Sequence, residues 1–69
     1  MNRFEHKVLW NKRAGLLTEH WFDGDMDIGP EITSEILAPY GEDGWEVVAV
    51  MQTVGGATHK IILKRPRQK

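Results

Sequence analysis

The residues of this 69-residue chain that could do chemistry are three histidines, a run of closely spaced aspartates, and six aromatics. Histidine titrates near neutrality and is the commonest metal ligand. His6, His20 and His59 fall on separate segments, without the short spacing that ligand pairs show, and read as packing or surface residues. Asp23-Gly24-Asp25-Met26-Asp27 places oxygens at the first, third and fifth positions of a calcium loop. Its sixth position would be Ile28, where a glycine makes the sharp turn. Its twelfth would be Ser34, where a bidentate glutamate belongs. A helix-entry loop accounts for the segment better. Thr18-Glu19-His20 holds pieces of an acid–base set, but nothing marks a nucleophile or an oxyanion hole. Gly55-Gly56 lacks the Lys-Ser/Thr and the helix of a phosphate loop. No catalytic, metal-ligating or cofactor-binding residue is assigned, and the chain reads as non-enzymatic.

The aromatics are Phe4, Trp10, Trp21, Phe22, Tyr40 and Trp45. Trp45 is expected in the core. Trp10 and Trp21 are candidates for exposed anchors, the type that interfaces favour. The alternative is a stacking platform for single-stranded nucleic acid, aided by Lys7, Lys12, Arg13 and Lys60. Charge is laid out unevenly. From Glu19 to Glu46 there are nine acidic residues and no lysine or arginine, and all nine basic residues lie outside that span. Complementarity within and between subunits is the plainer reading, a nucleic-acid surface the sharper one. The basic tail Lys64-Arg65-Pro66-Arg67-Gln68-Lys69 is read as a solvated end.

These side chains must be positioned by elements that the apolar pattern announces. Trp45 to Val54 is rich in β-branched residues and predicts a strand. Gly55-Gly56 supplies a hairpin turn, and residues 59–65 predict the returning strand, ended by Pro66. Alternation puts Trp45, Val47, Ala49 and Met51 on one face and Val48, Val50 and Val54 on the other, with Ile61 and Leu63 split from Ile62. Both faces are apolar. The C-terminal hairpin should therefore hold the central strand. Phe4 to Asn11 alternates too, with Phe4, His6, Val8 and Trp10 expected on the inner face. Residues 16–22 are ambiguous between a short strand in a hairpin with the first, which is preferred, and an irregular segment laying Trp21 and Phe22 over the sheet; residues 23–29 are expected to form a loop. A helix is expected over 30–40, with Pro30 as its first residue and Gly41 as its stop. Its Ile32, Ile36 and Tyr40 stripe would pack on Trp45.

The stretch Tyr40-Gly41-Glu42-Asp43-Gly44-Trp45-Glu46-Val47-Val48, the start Phe4-Glu5-His6-Lys7-Val8-Leu9 and the end Leu63-Lys64-Arg65-Pro66 together resemble a bacterial domain-of-unknown-function family, number 4177. The resemblance departs at residues 12–29 and at Pro39 and Tyr40. It implies a β-α-β-β core, with Gly41, Gly44 and Trp45 as structural positions, and it implies no activity.

One α+β domain spanning residues 1–69 is the expected architecture. Its mainly antiparallel sheet has three strands, or four if residues 16–22 join, with one helix on one face. A chain this short, without cysteines for disulfides or thiolate metal sites, is marginal alone. One helix can cover one sheet face only. A homo-oligomer, dimer or higher, is therefore expected, built on the sheet face bearing Val48, Val50 and Ile62, with Trp10 and Trp21 as candidate anchors, or on a sheet edge. An accessory nucleic-acid binder is the second expectation. No apolar run approaches the ~20 residues of a membrane span. The start lacks the apolar core of a signal peptide. The expected location is the cytoplasm, with no membrane contact.

Overall fold

A computed structural model describes residues 3–55 and 58–67. Gly56 and Ala57 of the expected hairpin turn, and Gln68 and Lys69 of the basic tail, lie outside the described residues. The elements are β1 (Phe4–Arg13), β2 (Glu19–Asp23), β3 (Met26–Gly29), α1 (Ser34–Glu42), β4 (Glu46–Gln52) and β5 (Thr58–Pro66). They make an antiparallel five-stranded sheet in the order β3-β2-β1-β5-β4, with one helix. The α+β class holds, but the sheet has more strands than the three or four expected.

The added strand comes from residues 23–29, which composition assigned to a loop. Asp23 pairs with Met26 across Gly24-Asp25. Gly24 has φ +62°, and a glycine first in a two-residue hairpin loop suits a type II′ turn. Acidic and glycine-rich composition hid a hairpin whose turn needs those residues. Residues 19–23 pair with β1, so the ambiguous stretch is a strand, beginning three residues later than expected.

The middle strand is β1, not one from the C-terminal hairpin. The most apolar strand, β4, lies at the sheet edge. β1 pairs with β5 through Lys7–Leu63, Val8–Ile62 and Leu9–Ile61, and with β2 through Leu9–Asp23 and Asn11–Trp21. Directly opposed residues share a face. One face therefore carries Leu9, Trp21, Ile61 and Leu63, which are the buried core. Ile28, Ile32, Leu37, Tyr40 and Trp45 pack against it from the helix side. The inner face of β1 is thus its Glu5, Lys7, Leu9 and Asn11 side, the reverse of the expectation. Phe4, His6, Val8 and Trp10 lie on the open face. Four buried residues among those described, of which Leu9 and Leu63 are fully so, make a small core, and the Cα radius of gyration is 13.1 Å. A compact chain of this length would have about 11 Å. The molecule is a plate with a partial cover.

The helix starts later and ends later than expected. Thr33 caps it: its Oγ1 accepts from the Ile36 N–H at 3.2 Å, stronger local chemistry than Pro30 could supply. Pro39 sits inside the helix, and Gly41 is helical rather than the stop. The stop is Gly44, with φ +91°. Trp45 N–H donates to the Tyr40 carbonyl at 2.9 Å and Gly44 N–H to the Gly41 carbonyl at 3.0 Å. That pair of bonds is a Schellman motif with Gly44 at the position needing positive φ. The Gly-Trp-Glu element is thus a helix exit that lays Trp45 on the core before β4 begins.

Candidate interaction surface

Two parts of the surface stand apart. The first is the β4 edge. All seven of its residues are exposed, and its outer side has no strand partner among the described residues. Val47 is paired with Leu63 and Val50 with Ile61 on the helix side, while Ala49 is paired with Ile62 and Met51 with Lys60 on the open side. A bulge at Val48 shifts the register, so strict alternation fails there. Val48, Val50 and Ile62 therefore do not form one patch: Val50 faces the helix side and Ile62 the open side. Val47, Val48, Val50 and Met51 keep 45–50% of their surface in water.

The second is the open sheet face. Trp10 and Phe22 are directly opposed there on neighbouring strands. Lys60 lies over Trp10 at 4.3 Å, Lys12 over Phe22 at 4.9 Å, and Lys64 over Phe4 at 4.5 Å from the ring centroids. The edge of His59 meets Trp10 with centroids 6.0 Å apart. Lysine stems shelter such rings while the ammonium groups stay wet.

The helix side holds its polar groups differently. Lys7 Nζ donates to both Asp23 oxygens at 3.1 and 3.2 Å, and the Tyr40 hydroxyl donates to Asp23 Oδ2 at 2.7 Å. Burial pushes the Asp23 carboxyl up, but the Tyr40 hydroxyl and Lys7 ammonium outweigh it and hold the group below the usual carboxylate range. Burial, with the Asp23 charge beside it, pushes the Tyr40 phenol well above its ordinary value. Arg65 donates to Glu5 and, at 2.5 Å, to Asp43 Oδ2, and its guanidinium lies 4.4 Å from the Trp45 ring centroid. It also donates to the Asp43 carbonyl at 3.1 Å, placing a cation at the helix C-terminus. A cleft of about 530 Å³ opens beside Lys7, Asp23, Tyr40 and Trp45. Its Lys7, Asp23 and Tyr40 are already bonded to one another.

The candidate residues thus divide. Trp10 is 37% exposed on the open face. Trp21 is 7% exposed on the helix side, so it is a core residue and not an exposed anchor. Lys7 is tied to Asp23 inside the structure and does not join the surface lysines. Asp23 faces Lys7 and Tyr40, whereas Asp27 accepts from the Gly29 N–H at 2.8 Å and pairs with His20 Nδ1 at 2.8 Å. The aspartates of the apparent calcium loop therefore point to different partners. No group of three or more potential ligands converges among the described residues. No helix among the described residues is long and apolar enough to cross a membrane. Sequence reasoning missed the Lys7–Asp23–Tyr40 set because its members are far apart in the chain and β3 was not foreseen. No family model matches the chain, and no curated protein or solved structure matches it.

Proposed function

We propose that the chain is a non-enzymatic interaction module that works as a homodimer, two copies pairing antiparallel through their β4 edges. The exposed β4 edge carries the reading. A seven-residue strand without lysine, arginine or proline, apolar on both sides, is a template for a further strand. The Val48 bulge twists that edge but adds no charge. The opposite edge, β3, has four residues and runs straight into Pro30, so it is blunted. A twofold axis at the β4 edge would extend the sheet to two copies and bury the same patch on each. Covering a half-exposed valine contributes about 1 kcal/mol, which against the cost of association gives a micromolar rather than a tight dimer.

The cysteine-free composition suits a reducing compartment, and we place the module in the cytoplasm. Membership of the family that Gly44-Trp45-Glu46-Val47-Val48 resembles is a proposal alongside this one and adds no activity to it. Light scattering at 10–500 μM, roughly the range such an edge implies, tests the dimer. The wild-type chain should approach twice its 7.9 kDa mass, and Val48→Lys should return it to the monomer with its melting curve little changed. A wild-type mass of 7.9 kDa throughout that range overturns the reading.

A further inference from the structure

The open face carries an observation independent of the edge. Its three aromatics each hold a lysine, and its carboxylates are already engaged: Asp27 by His20 and Gly29, Glu46 by Lys64 at 3.8 Å. The acidic residues Glu31, Glu35, Glu42 and Asp43 belong to the helix and its flanks on the other layer. The face is therefore cationic and aromatic. A second copy docked face to face would set Lys12, Lys60 and Lys64 against their own kind, while Asp27 and Glu46, the strand carboxylates of this face among the described residues, are already engaged. The occupant that fits must be anionic and present flat rings. Trp10 and Phe22 adjoin across β1 and β2, and Phe4 lies six residues along β1, about 20 Å away at the rise of a strand.

We propose that this face binds single-stranded nucleic acid. Bases stack on Trp10 and Phe22, and Lys12, Lys60 and Lys64 swing from the rings to the phosphates. Unpaired bases offer the ring faces that a duplex hides, which selects single strands. The exchange needs no backbone movement, because a lysine stem turns about single bonds. The binding does not rest on β4 pairing, and Val48→Lys should leave it intact.

The test is fluorescence anisotropy of a labelled thymidine 12-mer titrated with the full chain at low salt. Saturable binding is expected, weakening with salt at a log–log slope of about −2 for three phosphate contacts to a single strand. Trp10→Ala should weaken it about tenfold or more, and Trp10→Phe, which keeps a ring, much less. Lys60→Gln should make the slope shallower by about 0.7. Circular dichroism of each variant confirms the fold. Any of several results overturns the proposal: no binding up to about 100 μM, equal affinity for polyphosphate or for a duplex of the same length, or an unchanged affinity in folded Trp10→Ala. A dimer that survives Val48→Lys and is broken by Trp10→Ala also overturns it, giving the face to a second copy.

Discussion

The two faces of the sheet use the same residue types to opposite ends. On the helix side the charged groups satisfy one another: Lys7 with Asp23, Glu5 with Arg65, Arg65 with Asp43. On the open side the lysines rest on aromatic rings, and of the three only Lys64 also meets a carboxylate, that of Glu46. The difference teaches that apolar content does not decide which side of a small sheet is buried. β1 turns its aromatic side to water and its Glu5 and Lys7 side inward, because Leu9 meets Ile61 and Leu63 beneath the helix, and because Glu5 is paired with Arg65 and Lys7 with Asp23. Paired charges can flank a core that unpaired ones would disrupt.

The sharpest way to break that comparison is a pair of substitutions on adjacent residues of β1. Leu9 is fully buried on the helix side, and Leu9→Ala should cost about 2–5 kcal/mol in urea denaturation, enough to unfold much of so small a domain. Val8 lies one residue away on the open side, and Val8→Ala should cost about 1 kcal/mol or less. Equal losses would show that both faces are packed alike. Next in size is the cover itself. Gly44→Ala forces a Cβ into a left-handed conformation at φ +91° and should cost about 1–3 kcal/mol, loosening Trp45 from the core. Quenching of tryptophan emission by acrylamide should rise with it; unchanged stability would mean that the helix exit relaxes freely.

Much of this is legible in the amino-acid sequence. β5, β1 and the existence of one helix followed from alternation and from the Gly and Pro boundaries. What failed did so for identifiable reasons. Period-two patterning gives two faces but not which is inner, and the helix decides that. The Val48 bulge moves Val50 to the side opposite Ile62, and no local residue type announces a bulge. Pro30 and Gly41 both carry boundary chemistry, but Thr33 supplies the capping oxygen and Gly44 the positive φ that the helix ends require. The surface itself was half visible: the aromatic and lysine residues stood in the sequence, but only strand pairing gathers Trp10, Phe22, Lys12 and Lys60 on one face and sends Trp21 and Lys7 to the other.

The smallest effect tests the polar pairing that lets the helix side stay buried. Tyr40→Phe removes the hydroxyl that donates to Asp23 and should cost about 1 kcal/mol at neutral pH. Its signature lies in the pH dependence. The folded Asp23 carboxyl sits below its unfolded value near 3.9, so its contribution is fully present above that pH and is lost as pH falls through the folded value. Without the hydroxyl the folded value rises toward the unfolded one, and the acid-side loss becomes smaller than in wild type. The folded Tyr40 phenol is raised, so its contribution is present below the unfolded value near 10 and is lost as pH rises above it. Tyr40→Phe lacks that alkaline loss altogether. Urea midpoints for the two proteins should therefore differ most at neutral pH and converge toward both extremes. Parallel curves across the whole range would mean that Tyr40 and Asp23 are not coupled, and that the helix is held by its apolar contacts alone.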